Sequence, residues 1–192
     1  MQPFYAHAPS AMPLHLYLNA SHAGVGCRAF LAQWLPTAPA NTVAMLVALN
    51  KAVAAHIQYQ LRMEPGVWSP DDTLARQSGT CRDSAWLMVA LLRCMGFVAR
   101  FVSGYLIQAS NGAQGEEVLT CDLHAWAEAF IPGAGWVGFD TTSGLVTAQA
   151  HVALAASPTP EDAAPVSGLL EQCQATFDVS MQAQRLFVSN PE

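Results

Sequence analysis

Along this chain the spacing of apolar residues shifts near residue 97 from a helical period to alternation, and that shift orders the predicted elements. Before it, Leu46, Leu49, Val53 and Ile57 recur at steps of three and four, which predicts a helix with Asn41 as its cap. A second helix start is written in Ser69-Pro70-Asp71-Asp72. Ser is the cap, Pro fills the first helical position, and two acids face the positive end of the dipole. Gly79 is expected to break this helix and Thr80 to cap the next, with Asp83 three residues on completing a capping box. The run from Ala85 to Leu92 is apolar around its whole circumference, as in a helix buried on most sides, and Gly96 supplies a left-handed stop.

Beyond Gly96 the chain reads as strands: Phe97 to Gln108, Val118 to Ile131, and Gly135 to Asp140. Residues 110–115 form a loop between the first two, and Pro132-Gly133-Ala134-Gly135 a hairpin-type turn before the third. Alternation in the second strand puts His124, Trp126, Glu128 and Phe130 on one face. Leu123, Ala125, Ala127, Ala129 and Ile131 take the other, where three alanines require something packed very close, a helix for instance. Residues 148–165 read as an Ala- and Pro-rich loop with one short strand, His151 to Leu154, and the alternating run 176–188 as an edge strand. Residues 1–40 are an irregular lead-in with short helices, and 41–192 the core. Helices followed by an antiparallel meander give an α+β class, a buried helix lying on a sheet.

At 192 residues, 52% hydrophobic and 11% charged, the chain is a folded domain and not a disordered segment. Its net charge of −6, with one Lys and seven scattered Arg, argues against nucleic acid or an anionic membrane as partner. The first residues lack a basic start followed by an apolar stretch. The five Cys (27, 81, 94, 121 and 173) are odd in number and show no C-x-x-C pair. Both features point to reduced thiols in the cytoplasm.

Three residues carry the candidate chemistry. Cys81 stands at the start of the apolar helix, where free amides and the helix dipole stabilise a thiolate. His124 lies inside a strand and Asp140 closes the next one, so a nucleophile, a base and an acid that orients the base fall on successive elements. Each has a plainer explanation: a buried inert thiol, a structural imidazole, a turn-forming Asp. Cys94 sits deep in the same helix as Cys81, Cys27, Cys121 and Cys173 lack a capped helix start, and His7, His15, His22, His56 and His151 carry no partner signal. Glu128 shares a face with His124 but lies about 7 Å along the strand, too far for a direct bond. Cys121-x-x-His124 has metal-ligand spacing, with Cys81 as a third ligand, yet zinc sites need more such pairs; no metal or cofactor is expected.

Gly79-Thr80-Cys81-Arg82-Asp83-Ser84-Ala85, the stretch from Arg93 to Tyr105, Leu123-His124-Ala125-Trp126 and Gly135-Trp136-Val137-Gly138-Phe139-Asp140 together resemble the transglutaminase-like superfamily of bacteria and archaea, papain-related cysteine enzymes. The stretch from Arg62 to Pro70, and His151-Val152-Ala153-Leu154-Ala155, narrow the likeness to the core domain of large multidomain bacterial proteins. The resemblance implies a papain-like fold and makes Cys81 the nucleophile, His124 the general base and acid, and Asp140 its orienter. The implied reaction is acyl transfer through a thioester, on a peptide or protein substrate, with neighbouring domains in a longer parent chain. Hydrolysis of a peptide or isopeptide bond is the first expectation, crosslinking to an amine the second, and a non-catalytic binding module the third. Gln77 and Trp68 are candidates for a second oxyanion donor, and Trp68, Trp86, Trp126 and Trp136 line either a cleft or the core. Many relatives carry Pro after the Asp. Thr141 stands there here, and losing that fixed φ is expected to loosen the turn that aims the carboxylate.

Overall fold

Among the described residues, helices come first and a five-stranded antiparallel sheet follows. The elements are α1 (Val25–Trp34), α2 (Thr42–His56), β1 (Gln58–Tyr59), α3 (Pro70–Arg76), β2 (Ser78–Gly79) and α4 (Cys81–Cys94), then β3 (Ala99–Asn111), β4 (Glu117–Ile131), β5 (Gly135–Asp140), β6 (Leu145–Val146) and β7 (His151–Ser157). This is a computed structural model, and it describes residues 14–62, 64–111, 117–166, 168 and 179–185. The sheet runs β6-β5-β4-β3-β7, and β1 and β2 form a separate parallel pair. The fold class is the α+β arrangement expected from the order of periods.

The caps act where the residues demanded. Asn41 accepts from Ala44 N, Ser69 from Asp72 N, and Thr80 with Asp83 forms a reciprocal capping box. Within the expected lead-in, α1 packs on α3 and α4 and buries Cys27 and Leu31. Its first turn is held by Asp71, which accepts from the amides of Gly26 and Cys27. From Asp83 to Arg93 every residue of α4 is buried, and Leu87, Met88, Leu91 and Leu92 are wholly so. Burying each of these side chains stabilises the fold by about 1.5–3 kcal/mol. The helix rests chiefly on β4. Ala125, Ala127 and Ala129 provide the close face, at 1%, 0% and 0% exposure.

Gly79 does not break α3. That helix ends at Arg76, with Gln77 in the left-handed region at φ 51°, and Gly79 is a β2 residue paired with Tyr59. Glycine is needed there for close approach, since an added Cβ would stand 2.9 Å from the Asp83 Cβ. The strand expected at His151 to Leu154 runs on to Ser157. Of the edge strand expected over 176–188, residues 179–185 are irregular and the rest lies outside the described residues, as do residues 112–115 of the expected loop, whose first two residues, Ser110 and Asn111, belong to β3 instead.

One irregularity shapes the sheet. The pairing of β3 with β7 shifts register between Ser103 and Gly104, a bulge that bends the strand and increases its twist. At Gly104 the backbones close in: an added Cβ would lie 2.0 Å from the Val152 carbonyl oxygen and 3.0 Å from Trp126 Cη2. The curl has a measurable result. In the strand order β5 and β7 are three spacings apart, about 14 Å in a flat sheet, yet His151 of β7 approaches Asp140 of β5 to 3.4 Å. Gly104→Ala is therefore expected to part β3 from β7 and destabilise the protein by about 1–3 kcal/mol or more, because the obstructing atom is backbone. Chemical denaturation measures this, and a loss below about 0.5 kcal/mol contradicts the close approach.

Candidate active site

Cys81 is the first residue of α4, and its burial is intermediate. Its position is set from three directions. The capping box fixes the helix start, the β1–β2 pair holds the preceding residues, and the next turn is tied to the sheet through Thr141 Oγ1, which donates to Ser84 Oγ at 2.9 Å. The carboxylate of Asp83 is buried and accepts from Thr80 N (2.9 Å), Thr80 Oγ1 (2.8 Å), Trp68 N (2.8 Å) and Arg62 Nη2 (2.8 Å). Burial alone would raise its pKa, but these donors hold it below the ordinary carboxylate value.

His124 and Asp140 meet as the strand order requires. His124 Nε2 lies 3.1 Å from Asp140 Oδ1, an ion-pair approach that falls off the N–H axis. Cys81 also lies within electrostatic reach of the imidazole and favours its charged form. Burial alone would lower the His124 pKa; contact with Asp140 and Cys81 outweighs it and lifts the group to about 9. Asp140 moves the other way: despite burial, His124, Ser143 Oγ and Thr142 N hold it well below the usual carboxylate range. His124 and Asp140 thus meet, with Cys81 in electrostatic reach of the imidazole.

Thr141 does not loosen the turn. It is 2% exposed and latches the end of β5 to the first turn of α4, while Asp140 accepts from Thr142 N (2.9 Å) and Ser143 Oγ (2.8 Å). Side-chain bonds do here what the fixed φ of Pro does elsewhere. Buried Asn50 of α2 adds a further clamp, donating to the carbonyls of Asp140 (3.2 Å) and Leu145 (3.0 Å).

The other sequence candidates scatter. Glu128 is engaged with Arg100 (2.7 Å) and Trp126 Nε1 (3.3 Å). Cys121 alternates to the strand face opposite His124, so that pair does not converge on a metal. Trp86 is buried beside His22 (5.0 Å), and Trp136 packs on Phe130 and Arg100. Trp68 lies between the guanidinium groups of Arg62 and Arg76, and the Gln77 side chain is exposed. Of the four indoles only Trp126 borders the site, with ring contacts to His124 and His151.

Two residues near the site escaped sequence reasoning. His151, the first residue of the short strand expected here and one without a partner signal, meets Asp140 across the curled sheet. Tyr59 sits opposite Gly79 in the β1–β2 register, and burial and the charges of Cys81 and Asp122 push its phenol up.

The model of the transglutaminase-like superfamily core matches residues 29–141, which contain Cys81, His124 and Asp140. The chain belongs to this superfamily. An uncharacterized Mycobacterium leprae protein is 32% identical over 60% of this chain and 40% of its own length. A protein-glutamine gamma-glutamyltransferase of Pseudomonas aeruginosa is 35% identical over 58% of this chain and 17% of its own. Among solved structures, a candidate cysteine protease of Cytophaga hutchinsonii superposes with a TM-score of 0.57 at 27% identity, covering 79% of this chain and 49% of that one. The periplasmic domain of TgpA from Pseudomonas aeruginosa superposes at 0.51 with 26% identity, covering 70% and 49%. The chain spans 40–57% of the length of the mycobacterial relatives it matches. No described helix of this transglutaminase-like protein is long and apolar enough to cross a membrane.

Proposed function

We propose that this transglutaminase-like protein is a cysteine amidase or peptidase in which Cys81, His124 and Asp140 form a catalytic triad. The observation that carries the reading is an imidazole ion-paired to a buried carboxylate at 3.1 Å, with a helix-start thiol within its electrostatic reach. The Cys81 thiolate attacks an amide carbonyl, and the His124 imidazolium gives its proton to the departing amine. This leaves a thioester on Cys81, which water then hydrolyses with His124 as base. The first amides of a helix have no internal partner, so the Cys81 N–H is free to meet the oxyanion. Tyr59, opposite Gly79 in the β1–β2 pair, joins Gln77 and Trp68 as a candidate for the second donor. The substrate is an extended peptide or protein segment.

Transfer to an amine is the second reading, favoured by the 35% identity to a gamma-glutamyltransferase. A labelled primary amine offered with a Gln-containing protein separates the two; incorporation into the protein speaks for transfer.

The common thiol claim is tested by alkylation. Iodoacetamide at neutral pH is expected to modify Cys81 roughly 10- to 100-fold faster than Cys27 or Cys94. Burial pushes both of those thiols up, and Asp71 raises them further. Peptide mapping of the modified protein checks it; comparable slow rates at all sites refute an activated Cys81.

A further inference from the structure

Asp140 has a second imidazole. His151 Nε2 stands 3.4 Å from Asp140 Oδ2, while His124 Nε2 stands 3.1 Å from Oδ1. The rest of the His151 ring is also fixed. Its Nδ1 accepts from the Ala148 amide at 3.4 Å, which assigns the remaining proton to Nε2 and directs that N–H at the carboxylate. The edge of the ring meets the Trp126 indole at 5.3 Å, and its side chain is 10% exposed. The carboxylate is therefore held from both sides. Oδ2 accepts from Ser143 Oγ (2.8 Å) and faces His151; Oδ1 accepts from Thr142 N (2.9 Å) and faces His124.

We propose that His151 is a positioning residue that pins Oδ2 of Asp140, so that Oδ1 stays turned toward His124, extending the site to a Cys81–His124–Asp140–His151 relay. The inference rests on the triad reading. Without His151, Oδ2 keeps only the Ser143 hydroxyl, and any rotation of the carboxylate about its terminal bond changes the distance and direction that His124 sees. Displacement of a reacting group by about 1 Å costs up to about 100-fold in rate. Donor atoms of His124, Asp140 and His151 lie within 4.8 Å of one another, a spacing that also suits a metal ion. The Ala148 bond argues for the relay instead, because it leaves a proton on Nε2 where a metal needs a lone pair.

Three variants test the proposal. His151→Phe keeps the packing on Trp126 and removes the donor; it is expected to lower kcat on a peptide amide roughly 10- to 100-fold with KM little changed. His151→Gln restores an N–H and is expected to recover most of that loss, whereas His151→Ala is not. Independently of turnover, the nitrogen resonances of the His124 ring are expected to shift in His151→Phe and return toward wild type in His151→Gln. An unchanged His124 signal in all three variants overturns the proposal even if the wild-type thiol is active. If Cys81 proves unreactive in wild type, the triad reading fails, and the His124 signal still decides whether His151 positions it. Zinc ions added to the protein are expected to leave Cys81 alkylation unaltered. Inhibition that His151→Phe abolishes identifies a metal site and removes the relay.

Discussion

His124→Gln is expected to slow acylation of Cys81 by an amide substrate by roughly 10^4-fold, the upper range for losing a positioned acid-base group. The loss has two parts. Without the imidazole no group shares the thiol proton, and without the imidazolium the amine departs unprotonated. The pH profile separates these roles from a merely structural one. Burial works against a proton on His124, but the Asp140 and Cys81 contacts keep it bound up to about pH 9. Below that pH the imidazolium is present, and above it the general acid is lost. The wild-type acylation rate should therefore fall as pH rises through about 9. Asp140→Asn removes the carboxylate that raises the imidazole, so its falling limb should move to lower pH. Single-turnover measurements on a chromogenic amide follow both effects. A limb that stays in place in Asp140→Asn refutes the assignment of that limb to His124.

The helical half of the fold was largely legible because its signals are local. Asn41, Ser69, Thr80 and Asp83 act within four residues of themselves, and each caps the helix it was expected to cap. The alanines of β4 announced a close partner for the same reason: absent side chains leave room, and α4 fills it. Cys81, His124 and Asp140 could be named because each sits at a recognisable place on its own element. What was not legible depends on geometry between elements. Gly79 looked like a helix breaker, yet it is small because Asp83 folds back over it. Thr141 looked like a weakness in the turn, and only the docking of α4 beside β5 shows that its hydroxyl replaces the constraint. His151 lies eleven residues from Asp140 in sequence and two intervening strands away in the sheet. No periodicity predicts that a bulge at Gly104 will fold β7 around to meet it.

Asp83 joins the fold to the site most directly, and Asp83→Asn should be among the most damaging single changes. Its carboxylate is fully buried and accepts from two backbone amides, a hydroxyl and the Arg62 guanidinium, whose side chain is 11% exposed. An amide keeps the shape but turns an NH2 group toward one set of these donors and leaves the guanidinium charge unpaired. Breaking a buried pair from one side costs about 3–5 kcal/mol. The sign of its pH dependence follows from the direction of the shift. The folded carboxyl titrates below its ordinary value, so its stabilisation is fully present above the unfolded pKa of about 4 and fades as pH falls below it. Urea denaturation should accordingly give a wild-type-minus-variant difference that is constant near neutrality and shrinks in acid. A difference under about 1 kcal/mol at neutral pH, or one indifferent to acid, is incompatible with an ionised Asp83 holding the helix start. Because that start carries Cys81, the folded fraction of the variant should also lose the selective alkylation of this thiol. A helix cap that only stabilised the protein would leave that selectivity intact.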